Sequence, residues 1–282
     1  MRGFINLIKP EKMSSCYAVG AVKHKFNVPC GHMGTLDPMA SGVLPVGVYK
    51  TSRLFDYLLT KQKTYVTKVK FGVLTDTLDV TGKIVKETSV VPTKSIIQSV
   101  LKNFVGEIDQ VPPAYSAKCI NGKRGYELAR RGVEFTLKPK KVIIDDLTLL
   151  EETGKNEFSF KIDCRGGTYI RSLARDIGEA VGSLGTMSYL RRTACGIFNE
   201  ENGVTVEEFK SCANPEKYLI APDLALDFPK INLTEMEAKK IINGVFDNLG
   251  IPSGLYRVYD RDNFLGVGES YEGVLKINAY VR

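Results

Sequence analysis

The sequence predicts an α+β fold, because two periodicities alternate along it. Every-second-residue patterns mark strands: Tyr65, Thr67, Val69 and Phe71 oppose Val66, Lys68 and Lys70, and Phe158, Phe160, Ile162 and Cys164 share one face. Helical spacing joins Ile96, Ile97, Val100, Leu101 and Phe104, and again Leu173, Ala174, Ile177, Ala180 and Val181, the second set expected inside. Of the 282 residues, 43% are hydrophobic, enough to fill an ordinary core. No apolar run nears the roughly 20 residues of a membrane span, and the N-terminus lacks the apolar stretch of a signal peptide. The cytoplasm is therefore the expected compartment.

In chain order, Gly3 to Lys9 reads as a short apolar strand stopped by Pro10, and Ser14 or Ser15 can cap a helix through Tyr17, Val19 and Val22. Gly31 to Gly47 follows, GHMGTLDPMASGVLPVG, with four glycines and two prolines that force the backbone through tight turns. No helix fits there. Val43, Leu44, Val46 and Val48 then form a buried strand that anchors the loop and its polar side chains His32, Thr35, Asp37 and Ser41. Alone, Asp37 before Pro38 reads as a turn initiator. A phosphate loop between Gly42 and Gly47 fails, because Val48 and Tyr49 stand where Lys and Ser/Thr are needed.

Tyr65 begins the next strand, where an aromatic commonly packs against its neighbours. Asp76 to Gly82 reads as a hairpin turn rather than a site, and Pro92 with Thr93 opens a helix that covers a sheet. Gly166 and Gly167 end the Phe158 strand, and Thr168 to Arg171 leads into the next helix, so Arg171 stands at a strand-to-helix junction. From Phe228 and Pro229 the character changes. Thr234 and Glu237 make a capping box, the helix ends at Asn243 and Gly244, and short strands follow near 256–259, 264–267 and 274–281.

The net charge of +7 is concentrated. Between Pro113 and Lys141, eight basic residues (Lys118, Lys123, Arg124, Arg130, Arg131, Lys138, Lys140, Lys141) face two acidic ones, with Tyr115 and Tyr126 interleaved. Such a segment suits a polyanion with exposed bases, or it is a solvated face. Six scattered cysteines without a C-x-x-C pair, and only two histidines, His24 and His32, support neither zinc nor a disulfide framework. No metal and no cofactor are expected.

The block Gly31 to Val46 resembles the G-H-x-G-T-L-D-P-x-A-x-G-x-L-P-V signature of the TruB-type tRNA pseudouridine synthases, whose Asp is the catalytic nucleophile. Asn6, Lys9, Pro10, Met13, Ser14 and Ser15 follow the family's opening pattern, with Lys12 where Gly is usual. Lys63, Tyr65 and Gly72 resemble its second motif, Gln110 to Gly122 its RNA-gripping thumb with the expected Lys displaced by one place, Gly167 to Asp176 its third motif, and Leu190 to Thr193 its pocket-closing segment. The resemblance implies a pseudouridine-synthase fold with a mainly antiparallel central sheet at 1–228, a basic thumb at 113–141, and a small PUA-like barrel at 229–282. In the last segment charges balance, seven against seven from Lys230 onward, so an RNA grip there rests on shape.

By the same resemblance Asp37, Tyr65 and Arg171 are catalytic: Tyr65 stacks on the base, and Arg171 pairs with Asp37. His32, Tyr169, Leu190 and Lys9 bind substrate, while Lys118, Lys123, Arg124, Arg130 and Arg131 contact RNA. The implied reaction converts uridine to pseudouridine at position 55 in the T-loop of tRNA, after the base is flipped out at about a few kcal/mol. A carboxylate can attack either C1′ or C6. A neighbouring cation keeps that carboxylate ionised in an apolar pocket. The implied partner is the tRNA T-arm, met by a monomer without guide RNA or membrane. Three alternatives stand beside this reading: a non-catalytic tRNA-binding or tRNA-folding chaperone of the same fold, a guide-RNA-dependent relative with longer basic tails, and a glycosidase needing a second carboxylate.

Overall fold

The computed structural model describes every residue except 1, 59, 60, 117, 118, 121, 134, 246 and 282. The chain forms two compact units: residues 1–38, 42–60 and 195–282 in the first, 39–41 and 61–194 in the second. Among the described residues no helix is long and apolar enough to cross a membrane.

The first unit begins with β1 (Gly3–Lys9), α1 (Ser15–Phe26), β2 (Cys30–His32), β3 (Ser41–Val48) and the single turn α2 (Phe55–Leu58). Ser14 caps α1, its side chain accepting from the Tyr17 N–H, and Asn27 closes the helix in a left-handed conformation. All eight residues of β3 are buried, which explains its near-continuous apolar run. β1 runs antiparallel to β3, from Gly3 opposite Val48 to Lys9 opposite Gly42, and β2 pairs with β3 through Cys30, Gly31 and His32.

The second unit carries β4 (Lys63–Phe71), β5 (Val73–Thr75), β6 (Ile84–Glu87), α3 (Lys94–Leu101), β7 (Gly106–Gln110), β8 (Cys119–Ile120), β9 (Lys123–Arg124) and α4 (Gly125–Arg130). β10 (Lys140–Gly154), β11 (Glu157–Cys164), α5 (Ile170–Ala180) and β12 (Gly185–Cys195) complete it. Its main sheet has the order β12-β4-β11-β10-β7, with antiparallel pairing along β4, β11, β10 and β7. Thr93 caps α3 as its sequence indicates, but only Ile97 and Leu101 are buried while Ile96 is exposed. On α5, Leu173, Ala174 and Ile177 are buried as expected; Ala180 is exposed and Val181 half-buried, because the helix ends there and turns away. Gly178 and Gly185 let α5 lie directly on β12, where a Cβ at Gly185 would meet the Ala174 carbonyl oxygen.

Back in the first unit are β13 (Phe198–Asn199), β14 (Val204–Thr205), α6 (Val206–Ser211), β15 (Lys230–Leu233), α7 (Glu235–Ile242), β16 (Asp247–Ile251), β17 (Gly254–Asp260), β18 (Asn263–Tyr271) and β19 (Gly273–Tyr280). β14 lies parallel to β1, making the central pairing mixed rather than wholly antiparallel. The last five strands form a curled, PUA-like sheet in the order β15-β17-β18-β19-β16. The Thr234 and Glu237 capping box starts α7, whose Ala238 and Ile241 pack against Val258, Leu265, Leu275 and Ile277.

Replacing Gly185 by Ala is expected to lower stability by about 1–3 kcal/mol through overpacking, read as a lower thermal midpoint. A second expectation concerns alkaline pH. Burial, with the hydrogen bond donated to Asp223 Oδ2 at 2.7 Å, pushes the Tyr259 phenol up to about 12. The folded state thus favours the neutral phenol. That contribution is complete below about pH 10, the free tyrosine value, and is lost as pH rises towards about 12. Urea titrations between about pH 8 and 11 should show wild type losing stability more steeply than Tyr259→Phe.

Candidate active site

In the first unit the Asp37 loop is held from both sides. The Ser15 hydroxyl donates to the Leu36 carbonyl at 2.8 Å and accepts from the Leu36 N–H at 2.9 Å. Lys9 has no accessible surface, and its Nζ donates to Pro10 O at 2.9 Å, Met13 O at 2.7 Å and Pro38 O at 3.5 Å. The resemblance makes Lys9 a substrate-binding residue, but its buried ammonium is turned to the chain's own carbonyls; it clamps the residue after Asp37 as Ser15 clamps the one before. Gly34, at φ +98°, and Gly42, at φ +103°, supply left-handed turns that a side chain would resist. Asp37 is half-buried, and His32 is half-buried on β2 opposite Val46.

The second unit holds Tyr65, Tyr169, Arg171 and Leu190. Tyr65 and Leu190 are buried on the neighbouring strands β4 and β12, which are further tied where Thr67 Oγ1 donates to Tyr189 O at 2.7 Å. Tyr169 is the half-buried N-cap residue of α5, and Arg171 follows in the first turn, buried. Its Nη1 donates to Thr77 O at 3.0 Å, its Nη2 to Tyr115 O at 3.0 Å, and Asp79 Oδ2 lies 3.6 Å from Nη1. Both side chains are under a tenth exposed, so this is a buried ion pair.

Asp79 is the residue that sequence reasoning missed. The Asp76 to Gly82 stretch does form the turn between β5 and β6, but it is also a support of Arg171. Asp79 Oδ1 accepts from Thr81 N and Thr77 Oγ1, both at 3.0 Å, leaving Oδ2 towards the guanidinium. Nothing local distinguishes it from Asp76, whose Oδ1 accepts from Lys83 N at 2.8 Å.

The basic segment presents Lys123, Arg130 and Arg131 to solvent, with the Arg130 guanidinium 5.7 Å from the centre of the Tyr126 ring. Lys118 lies outside the described residues, as does the side chain of Arg124. Burial pushes the Cys164 thiol up to about 12, which fits a packing residue rather than a nucleophile.

A family model described as TruB family pseudouridylate synthase (N terminal domain) matches residues 23–170. The chain belongs to the TruB family. Two more models, described as tRNA pseudouridylate synthase B C-terminal domain and Pseudouridine synthase II TruB, C-terminal, match residues 171–222 and 229–277. A Clostridium kluyveri protein named tRNA pseudouridine synthase B is 41% identical over 278 residues, covering 95% of each chain. One of the same name from Aquifex aeolicus is 39% identical over 281 residues, covering 98% of each. Among solved structures, a chain of a Cbf5-Nop10-Gar1 complex is similar at TM-score 0.70 and 29% identity, with 98% of this chain and 79% of that chain covered.

The Lys9 clamp of this TruB-family loop is open to test. Lys9→Met strips a donor from three carbonyls, and a buried acceptor left unpaired costs about 1–3 kcal/mol. The expected outcome is a lower midpoint of thermal unfolding together with slower turnover, while affinity for tRNA changes little.

Proposed function

We propose that this chain isomerises uridine to pseudouridine at position 55 in the T-loop of tRNA, as a cytoplasmic monomer without guide RNA. The observation that carries the reading is the Asp37 loop. A TruB signature is present there with its Asp between two backbone positions, Leu36 and Pro38, that buried Ser15 and Lys9 hold. Acid groups that react with substrate gain most from such fixed geometry, because positioning lowers the barrier without reorganisation during the reaction.

In this reading the target uridine is flipped from the loop and stacks on Tyr65, a contact of about 1–3 kcal/mol that offsets unstacking. The Asp37 carboxylate attacks C1′ of the ribose or C6 of the base, and Arg171 favours its ionised form. The N1 to C1′ bond breaks, the uracil turns, C5 bonds to C1′, the bond to the Asp37 oxygen breaks to return the free carboxylate, the C5 proton leaves to solvent, and N1 takes up a proton in its place. Tyr169 and Leu190 wall the base, and His32 rests against the opened loop. Residues 1–228 act as the catalytic part. Within it, 113–141 form a thumb whose Lys118, Lys123, Arg124, Arg130 and Arg131 meet phosphates, and 229–282 add an RNA-binding PUA-like part. Phosphate contacts of this kind make affinity fall as salt rises.

The test is tritium release from an unmodified tRNA transcript labelled at uracil C5. Wild type should release tritium from the T-loop, and Asp37→Asn should release none above background with tRNA binding retained. Equal release by both would remove Asp37 from the mechanism; no release from either, with tight binding, would favour the chaperone. Asp79→Asn removes the carboxylate facing Arg171 and is expected to slow a single turnover by about tenfold or more with little change in affinity.

A further inference from the structure

The basic insertion leaves the sheet of the second unit at Gln110 and re-enters it at Lys140, and these two residues are ladder partners. Gln110 is 1% exposed, and its amide closes on both polar groups of one residue: Nε2 donates to Tyr169 O at 3.2 Å, and Oε1 accepts from Tyr169 N at 2.8 Å. Tyr169 is the N-cap of α5 and makes no side-chain cap bond of its own; Gln110 pairs with its backbone at that helix start.

The next contacts continue the pattern. Val111 O accepts from Ser172 Oγ at 2.7 Å and from Arg175 Nη2 at 3.1 Å, and Tyr115 O accepts from Arg171 Nη2 at 3.0 Å. On its other side the same stretch carries α4, the helix of the basic insertion. Tyr126 N donates to Ser116 O at 2.9 Å, and a Cβ at Gly125 would come within 2.9 Å of Ala114 O. α4, which bears Arg130, is thus connected through residues 110–116 to Tyr169 and Arg171 by direct hydrogen bonds.

We propose that Gln110 is a positioning residue for Tyr169 and Arg171, and that through it the binding of an RNA backbone to the insertion sets the start of α5 for catalysis. This rests on the proposed synthase activity. Gln110 touches neither substrate nor reacting atoms; it acts through the helix start. An RNA held by the insertion therefore tightens the geometry at Arg171, and an RNA that binds elsewhere does not. Such coupling requires an element that both ends bias, which the Gln110 to Tyr115 segment supplies.

Two measurements on the full chain test it. In single-turnover tritium release with saturating tRNA, Gln110→Ala should be about 10–30-fold slower, with its dissociation constant for tRNA within about twofold of wild type. The triple variant with Arg130→Ala and Arg131→Ala added should be slowed by clearly less than the product of the separate losses, since both act through one relay. A rate within twofold of wild type, a loss of affinity at unchanged rate, or losses that multiply in the combined variant would each overturn the proposal. The second measurement needs no variant. In wild type, amide hydrogen exchange at Tyr169 to Leu173 should slow when a T-arm stem-loop binds, and unchanged exchange there with binding verified would also overturn it. If wild type forms no pseudouridine, the reading of function falls, while the exchange measurement still decides the coupling.

Discussion

An ammonium group without access to water fixes the loop that carries Asp37. A buried cation is stable only when dipoles replace its hydration, and the partners of Lys9 include the carbonyls of Pro10, Met13 and Pro38. Those residues belong to the end of β1, the turn before α1 and the loop after Asp37. One side chain thereby joins three segments that no strand ladder joins. Hydrogen bonds from a charged donor are roughly twice as strong as neutral ones, so the loop gains rigidity without a ladder of its own. Ser15 completes the arrangement at Leu36 with a hydroxyl that both donates and accepts.

The second unit solves a similar problem with arginine. The guanidinium of Arg171 reaches Thr77 O, Tyr115 O and Asp79, three segments again, and it can do so because its donors form a planar fork aimed in several directions at once. A lysine would offer one compact charge. The helix bearing this group is itself held close by Gly178 and Gly185, where backbone meets backbone, so the guanidinium is placed by a rigid element rather than by a loop. Both units thus use a buried cation to hold polar backbone, and in each the cation stands beside the end of a regular element.

This arrangement explains which features could be read from the sequence. Strands with one buried face, such as β4 and β11, leave a period of two, and helix starts leave a capping residue, as Ser14, Thr93 and Thr234 do. Charge in the insertion was legible because it is contiguous. Buried polar groups leave no such trace. Lys9 before Pro10 has the pattern of a strand end at the surface, Asp79 that of a turn, and Gln110 that of an ordinary polar residue, yet all three are buried. Their partners lie at sequence separations that no periodicity encodes: 29 residues from Lys9 to Pro38, and 59 from Gln110 to Tyr169. The signature around Asp37 marked the candidate loop; the groups that hold it were visible only once the chain was folded.

The same core contacts bear on the C-terminal strands. Tyr259, Phe264, Val267 and Val281 share one buried cluster with Phe4, Val43, Leu54 and Phe198, so the curled sheet covers apolar surface belonging to the N-terminal strands. Arg257 adds polar ties, donating to Phe228 O at 2.8 Å. Deleting residues 229–282 would therefore expose Phe4 and Leu54 to water as well as removing whatever RNA surface the sheet presents. Loss of activity in such a truncation carries no information about RNA binding. Substitutions confined to exposed positions such as Lys276, whose neighbours in the strand are buried, separate the two contributions, since they alter charge while leaving the shared core intact.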